Sequence, residues 1–169
     1  MKDKNGIIEK LETPFSGCYE LQPIIRQDIR GSFIKTFHIE AFKELGLTTN
    51  FKEEFTTISF KNILRGLHFQ IPPADCVKLV YCIFGKVMDV VIDLRKASPT
   101  YGKFHIIYLE SNKCNMIYIP QGFAHGFYTL TNQAIMVYKQ TSVYSPECDK
   151  GIHWNSSFKT MRGGYSLAL

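Results

Sequence analysis

The amino-acid sequence predicts an all-β sandwich or barrel built as one domain. Three observations carry this expectation. Aromatic residues make up 14% of the chain, with 13 Phe and 9 Tyr, and aromatic and β-branched side chains fit a pleated, half-buried surface. Short apolar runs recur at roughly even spacing, parted by polar turns such as Ser111-Asn112, Pro120-Gln121-Gly122 and Thr131-Asn132, the pattern of an antiparallel β fold. No alternation of strands with helices is present, which removes the α/β folds. A length of 169 residues suits one domain and suffices to bury a core without disulfide or metal staples.

Taken in order, residues 1–16 are mixed and polar, with Pro14 near their end, and read as an N-terminal arm. Residues 32–37 read as a strand. Residues 38–45 read as a short helix that Gly46 is placed to end. Residues 55–60 alternate Phe55, Thr57 and Ser59 against Thr56, Ile58 and Phe60. The apolar runs 77–84 and 86–94 flank Gly85 and predict a hairpin. Strands at 104–109, 116–119, 126–130 and 134–138 follow. After Asp149 the periodicity fades, and residues 156–169 read as a loosely held tail.

Composition narrows the function. Lys and Arg number 20 against 15 Asp and Glu, a net charge of +5. This mild excess suits an anionic small ligand and falls short of a nucleic-acid footprint. No apolar run reaches the roughly 18 residues of a membrane-spanning helix. The apolar stretch Ile7-Ile8 is too short for a secretory signal. The five cysteines, Cys18, Cys76, Cys82, Cys114 and Cys148, include no pair at zinc or redox spacing. They read as reduced thiols of a cytoplasmic protein.

Polar residues inside apolar strands carry the chemical information, because an unpaired polar group costs several kcal/mol to bury. Residues two apart on a strand share a face. In Leu64-Arg65-Gly66-Leu67-His68-Phe69-Gln70, His68 and Gln70 therefore point together, and Gly66 leaves space beside that face. Lys78 interrupts the apolar run Val77-Lys78-Leu79-Val80-Tyr81, where a solvated edge would be the ordinary explanation. Val87, Asp89, Val91 and Asp93 share one face, so Asp89 at least requires a partner. The Pro120-Gln121-Gly122 turn delivers His125 to the next strand, and Tyr138 ends an apolar strand with a hydroxyl to satisfy. Two histidines, a lysine and a tyrosine converging inside a small barrel would form the set needed to move a proton next to a carbonyl.

Several motifs occur together and in order. They are Asp28-x-Arg30-Gly31-x-Phe33, Leu64-Arg65-Gly66-Leu67-His68-Phe69-Gln70, Lys78-Leu79-Val80 and Gly85-x-Val87-x-Asp89-Val90-x-x-Asp93-Leu94-Arg95. Further on come Ser98-Pro99-Thr100-x-Gly102, Ile119-Pro120-x-Gly122-Phe123-Ala124-His125-Gly126-Phe127, Tyr138-Lys139, Tyr144-Ser145-Pro146 and Gly151-Ile152-x-Trp154-Asn155. Over about residues 18–155 the chain closely resembles the dTDP-4-dehydrorhamnose 3,5-epimerase family. The resemblance implies a cupin-type jelly roll (a double-stranded β-helix). It also implies a homodimer, and action without metal or cofactor on a nucleotide-diphospho-4-keto-6-deoxyhexose. By the same resemblance His68 matches the general base, Lys78 the residue that stabilises the enolate, and Tyr138 the acid on the opposite face. Arg30, Phe33, Arg65, His125 and Tyr144 match positions lining the nucleotide-sugar site, to which Gln70 and Glu53 are added as candidate contacts. Arg forks suit a diphosphate.

The chain departs from the family pattern where Gln-x-Asn-x-Ser-x-Ser is usual and Glu53-Glu54-Phe55-Thr56-Thr57-Ile58-Ser59 stands here. Lys35 also stands where Glu is frequent. The family's C-terminal carboxylate, which supports the base, has no counterpart, since no Asp follows Asp149. Asp89, Asp93 and Glu53 are the candidates to stand behind His68 instead. The activity expected is inversion at C3, C5 or both. The alternatives are a single-site epimerase acting on a different nucleotide sugar, a metal-dependent cupin, and a sugar-nucleotide-binding cupin without catalysis.

Overall fold

A computed structural model describes residues 1–153. In chain order the elements are β1 (Ile8–Glu12), β2 (Tyr19–Pro23), β3 (Arg26–Asp28), β4 (Gly31–Phe33), α1 (Ile39–Glu44), β5 (Glu53–Phe60), β6 (Leu64–Gln70) and β7 (Lys78–Phe84). They continue as β8 (Lys86–Asp93), β9 (Phe104–Glu110), β10 (Met116–Ile119), β11 (Phe123–Thr129), β12 (Gln133–Gln140) and β13 (Asp149–Gly151). Two antiparallel sheets form the body, ordered β1-β2-β10-β7-β12-β5 and β13-β6-β11-β8-β9, and β3-β4 stands apart as a ribbon. This is the all-β jelly roll expected, with one short helix. No helix among the described residues is long and apolar enough to cross a membrane.

The interior is filled by one face of each sheet. Val87 and Val91 of β8, Val80 and Cys82 of β7, Met136 and Tyr138 of β12, and Phe123 and Phe127 of β11 meet in one core cluster. The opposite face of β8 is buried too, with Val90 and Ile92 under Leu67, Ala124 and Phe104. A strand covered on both faces reads as a nearly continuous apolar run, and β8 does. Outside the six-stranded sheet, α1 lays Ala41 and Phe42 over Leu79, Tyr81, Met116 and Val137. His38 caps α1, its Nδ1 accepting the Ala41 N–H at 3.3 Å. The helix therefore covers one patch of the sheet's outer face, as its apolar residues require.

Three expectations change. Residues 1–16 are packed: β1 pairs with β2, Ile7, Ile8 and Phe15 are buried, and the Asp3 carboxylate accepts the N–H groups of Asn5, Ile7 and Ile8. The short apolar pair Ile7-Ile8 suffices because it enters an existing cluster. The strand expected over 32–37 reduces to Gly31–Phe33, with all three residues exposed. Finally, β7 and β8 do not form a hairpin. Both edges of β7 are taken by β10 and β12, and both edges of β8 by β9 and β11. Gly85 carries the chain from one sheet to the other at φ +81°, where a Cβ would meet the Gln133 carbonyl oxygen at 2.2 Å. One residue is too short a connection for the usual two-residue hairpin. The expected tail, 156–169, lies outside the described residues.

Candidate active site

The sandwich brings together residues from five strands. His68 on β6 lies directly across from His125 on β11. That pairing depends on glycine. At Gly66, with φ +111°, a Cβ would lie 2.6 Å from both Gly126 Cα and the His125 carbonyl oxygen. Gly126 is equally tight, since its Cβ would lie 2.6 Å from the Arg65 carbonyl oxygen. Gly66 is thus a place of close backbone approach and not open space.

Lys78 begins β7 and is buried, 4% exposed, so the solvated edge is not its environment. Tyr138 on β12 is buried at 3%. The His125 ring stands between His68 and Tyr138, with centroids 6.4 Å and 6.1 Å away and both contacts edge-on. Behind His125, Asp89 of β8 completes the group: His125 Nε2 donates to Asp89 Oδ2 at 2.8 Å, and both side chains are buried. The sequence signal for this pair was an Asp on an apolar face. What the sequence did not show is that its partner is His125 and not His68.

Burial sets the protonation states. It pushes the His68 imidazole down from 6.5 to about 3, helped by the nearby Lys78 and His125 charges. His68 is therefore neutral, the form that accepts a proton. Burial also lowers Lys78, while the fields of Cys76, Asp149 and Asp89 oppose the shift. Burial raises the Tyr138 phenol well above its ordinary value, which keeps its proton in place. A neutral imidazole and a protonated phenol thus flank His125, with the charge of buried Lys78 acting on His68.

No carboxylate is hydrogen-bonded to His68 among the described residues. Asp89 is occupied by His125. Asp93 accepts from Arg95 Nη2 at 2.7 Å, and from the hydroxyls of Ser98 and Thr100 at 2.6 Å each. Burial alone would raise its carboxyl, but these bonds outweigh it and hold Asp93 well below the carboxylate range. Glu53 accepts the Tyr144 N–H at 3.0 Å. The three acids expected behind His68 thus turn to other partners, His125 for Asp89, Arg95, Ser98 and Thr100 for Asp93, and the Tyr144 N–H for Glu53, while Asp89 Oδ1 is buried without a hydrogen bond among the described residues.

Glu53 has a second effect in company with Gln70. Gln70 Oε1 accepts the Ser145 N–H at 2.6 Å, and its Nε2 donates to the carbonyls of Ala74 and Val143 at 2.8 and 3.4 Å. Glu53 and Gln70 therefore strap residues 143–145 to β5 and β6 and leave Tyr144 exposed at 57%. Gln70 spends its amide on backbone, so its part is to hold that loop. Arg65 is anchored on β5, with Nε donating to Ser59 Oγ at 2.8 Å and Nη2 to the Ile58 carbonyl at 3.2 Å. Arg30 and Phe33 are not brought to this cluster within one chain. They lie on the β3-β4 ribbon, where Arg30 Nη2 pairs with Asp28 at 2.6 Å. Among the described residues no three His, Cys, Asp or Glu side chains gather as a metal would require.

A jelly roll whose interior brings buried His68, His125, Asp89 and Tyr138 together is a candidate for proton-transfer chemistry, and comparison with known proteins gives the class. The dTDP-4-dehydrorhamnose 3,5-epimerase family model matches residues 12–161. A dTDP-4-dehydrorhamnose 3,5-epimerase of Methanothermobacter thermautotrophicus is 40% identical over 145 residues, 86% of this chain and 78% of that protein. A Streptomyces niveus dTDP-4-dehydrorhamnose 3-epimerase is 33% identical over 81% of this chain and 67% of its own length. Among solved structures, a Legionella pneumophila dTDP-6-deoxy-D-glucose-3,5-epimerase in complex with dTDP-4-keto-L-rhamnose superposes with a TM-score of 0.86. It is 36% identical, covering 89% of this chain and 80% of its own. The chain belongs to the dTDP-4-dehydrorhamnose 3,5-epimerase family and is an epimerase.

Proposed function

We propose that the chain inverts the carbons flanking the C4 ketone of a dTDP-linked 4-keto-6-deoxyhexose, with His68 as base, Lys78 as the enolate-stabilising cation and Tyr138 as acid. The observation that carries this reading is that the rings of His68 and Tyr138 both meet His125 edge-on, while the charge of the buried Lys78 acts on His68. A proton beside a ketone is acidic only if the enolate oxygen is stabilised. A fixed cation in a dry site does this at no reorganisation cost. His68 takes the proton from one face, and Tyr138 returns one to the other. A single group doing both would restore the starting configuration.

The sugar nucleotide bound in the Legionella relative supports the substrate class. The anchored guanidinium of Arg65 supports a place for the diphosphate, because Arg binds such groups through paired N–H donors. The unit in solution is a homodimer. Supporting it are apolar side chains left in water, Ile29 and Phe33 on the ribbon and Ile58, Phe60 and Ile83 on the body, an arrangement that marks contact surfaces. Five free cysteines support a reducing, cytoplasmic setting. The protein in heavy water with dTDP-4-keto-6-deoxyglucose tests the function: deuterium enters C3 or C5 of the product. No entry above background at either carbon would contradict the reading.

A further inference from the structure

Phe55 lies where it can control the acid. It faces Tyr138 directly across the β5-β12 ladder. The two rings stack with centroids 4.7 Å apart and planes within 8°. A second ring, His125, meets Tyr138 edge-on at 6.1 Å and is itself held by Asp89. Tyr138 is thus gripped by a cross-strand partner and by a buried histidine, on a strand whose register is set along both edges. Its phenol has little room to turn about χ1 or χ2, and the hydroxyl moves only as the ring does.

That constraint matters for a two-carbon substrate. C3 and C5 lie on opposite sides of the ketone carbon, and one hydroxyl must reach both. In each inversion the C–H bond breaks toward His68, and its electron pair moves to the ketone oxygen. The enolate then returns that pair to form a new C–H bond with the Tyr138 proton on the far face. Imidazolium and phenolate remain, and proton exchange with water resets them. An acid free to swing could serve both carbons alike. An acid clamped by a stacked ring serves one in line and the other only after the sugar shifts.

We propose that Phe55 is a positioning residue that holds the Tyr138 hydroxyl at one place above the sugar and so makes the two inversions run at unequal rates. The proposal rests on the epimerase reading above and concerns the ratio of its two steps.

The test follows both carbons by NMR in heavy water with dTDP-4-keto-6-deoxyglucose, comparing the wild type with Phe55→Leu and Phe55→Asn. Leu keeps apolar bulk without a ring face, and Asn replaces it with an amide. The wild type is expected to accumulate a singly inverted sugar before the doubly inverted one. In the variants the ratio of the two rates moves toward unity by about five- to tenfold, the factor a stacked aromatic pair carries. A merely structural role for Phe55 would slow both steps together and leave the ratio unchanged. Equal rates in the wild type overturn the proposal. So does an unchanged ratio in the variant that remains folded. If the wild type introduces deuterium at neither carbon, the epimerase reading falls and this one with it. Exchange at both carbons with equal inversion removes only the role of Phe55.

Discussion

At the scale of single residues, the pocket works by protonation states that burial imposes. His68 has its proton affinity lowered by burial and by the charges of Lys78 and His125, which keeps it neutral but makes it a weak base. On the proposed mechanism, enolate stabilisation by Lys78 then supplies much of the driving force. His68→Ala should lower turnover by about two to four orders of magnitude, the range for a lost general base. Tyr138→Phe should abolish inversion while some deuterium still enters on the His68 face, read as labelled substrate of unchanged configuration. The pH dependence of stability follows from the same shift. The unfolded chain binds a proton on His68 near pH 6.5, whereas the folded protein resists until about 3. Stability therefore falls as pH drops from 6.5 toward 3, with a slope of up to about 1.4 kcal/mol per pH unit from this group. Asp93, lowered in the folded state, adds a further loss below about pH 4. Denaturant midpoints of wild type and His68→Asn across this range check the assignment: the variant's curve should be flatter between pH 6 and 4.

At the scale of elements, close backbone approach and side-chain straps place the groups. Gly66→Ala would force β6 off β11, because its Cβ meets backbone at 2.6 Å on two atoms. A cost of at least about 2 kcal/mol is expected from such a clash at positive φ, measured as a lowered denaturation midpoint. Glu53 and Gln70 hold the 143–145 loop through its backbone. Glu53→Ala should raise KM for the nucleotide sugar severalfold with kcat little changed, since the loop presents Tyr144 and not the reacting groups. Steady-state kinetics separate the two. Much at this scale was legible in the sequence. The alternation of β5, the double burial of β8 and the helix ending before Gly46 all follow from patterns that a strand or helix imposes on its own neighbours. The β7-β8 corner was not legible. An apolar run, one glycine and another apolar run look the same whether the strands pair with each other or with strands distant in the chain.

At the scale of the whole molecule, the two sheets decide which side chains meet, and here the sequence reading divides. His68, Lys78 and Tyr138 stand out as candidates in the sequence because His68 and Lys78 interrupt apolar strands, Tyr138 ends one, and each matches a motif. Which acid faces which histidine was not, because Asp89 and His125 come from strands whose pairing depends on the closed sandwich. Asp93 shares Asp89's face yet turns to Arg95 at the rim. Among the described residues the ribbon carrying Arg30 and Phe33 pairs with no other strand, and the exposed Ile29, Ile58, Phe60 and Ile83 suit the homodimer proposed above. Light scattering should therefore report twice the mass of one chain, and Phe33→Ser with Ile58→Ser should shift it toward the monomer.

The central claim is that His68 and Tyr138 act on opposite faces of one enolate. Its most direct test is the configuration and label of each carbon after incubation in heavy water. The wild type should return inverted sugar carrying deuterium at the inverted carbon, and Tyr138→Phe should return only uninverted sugar, labelled on the His68 face. Inverted product from folded Tyr138→Phe at the wild-type rate would contradict the account.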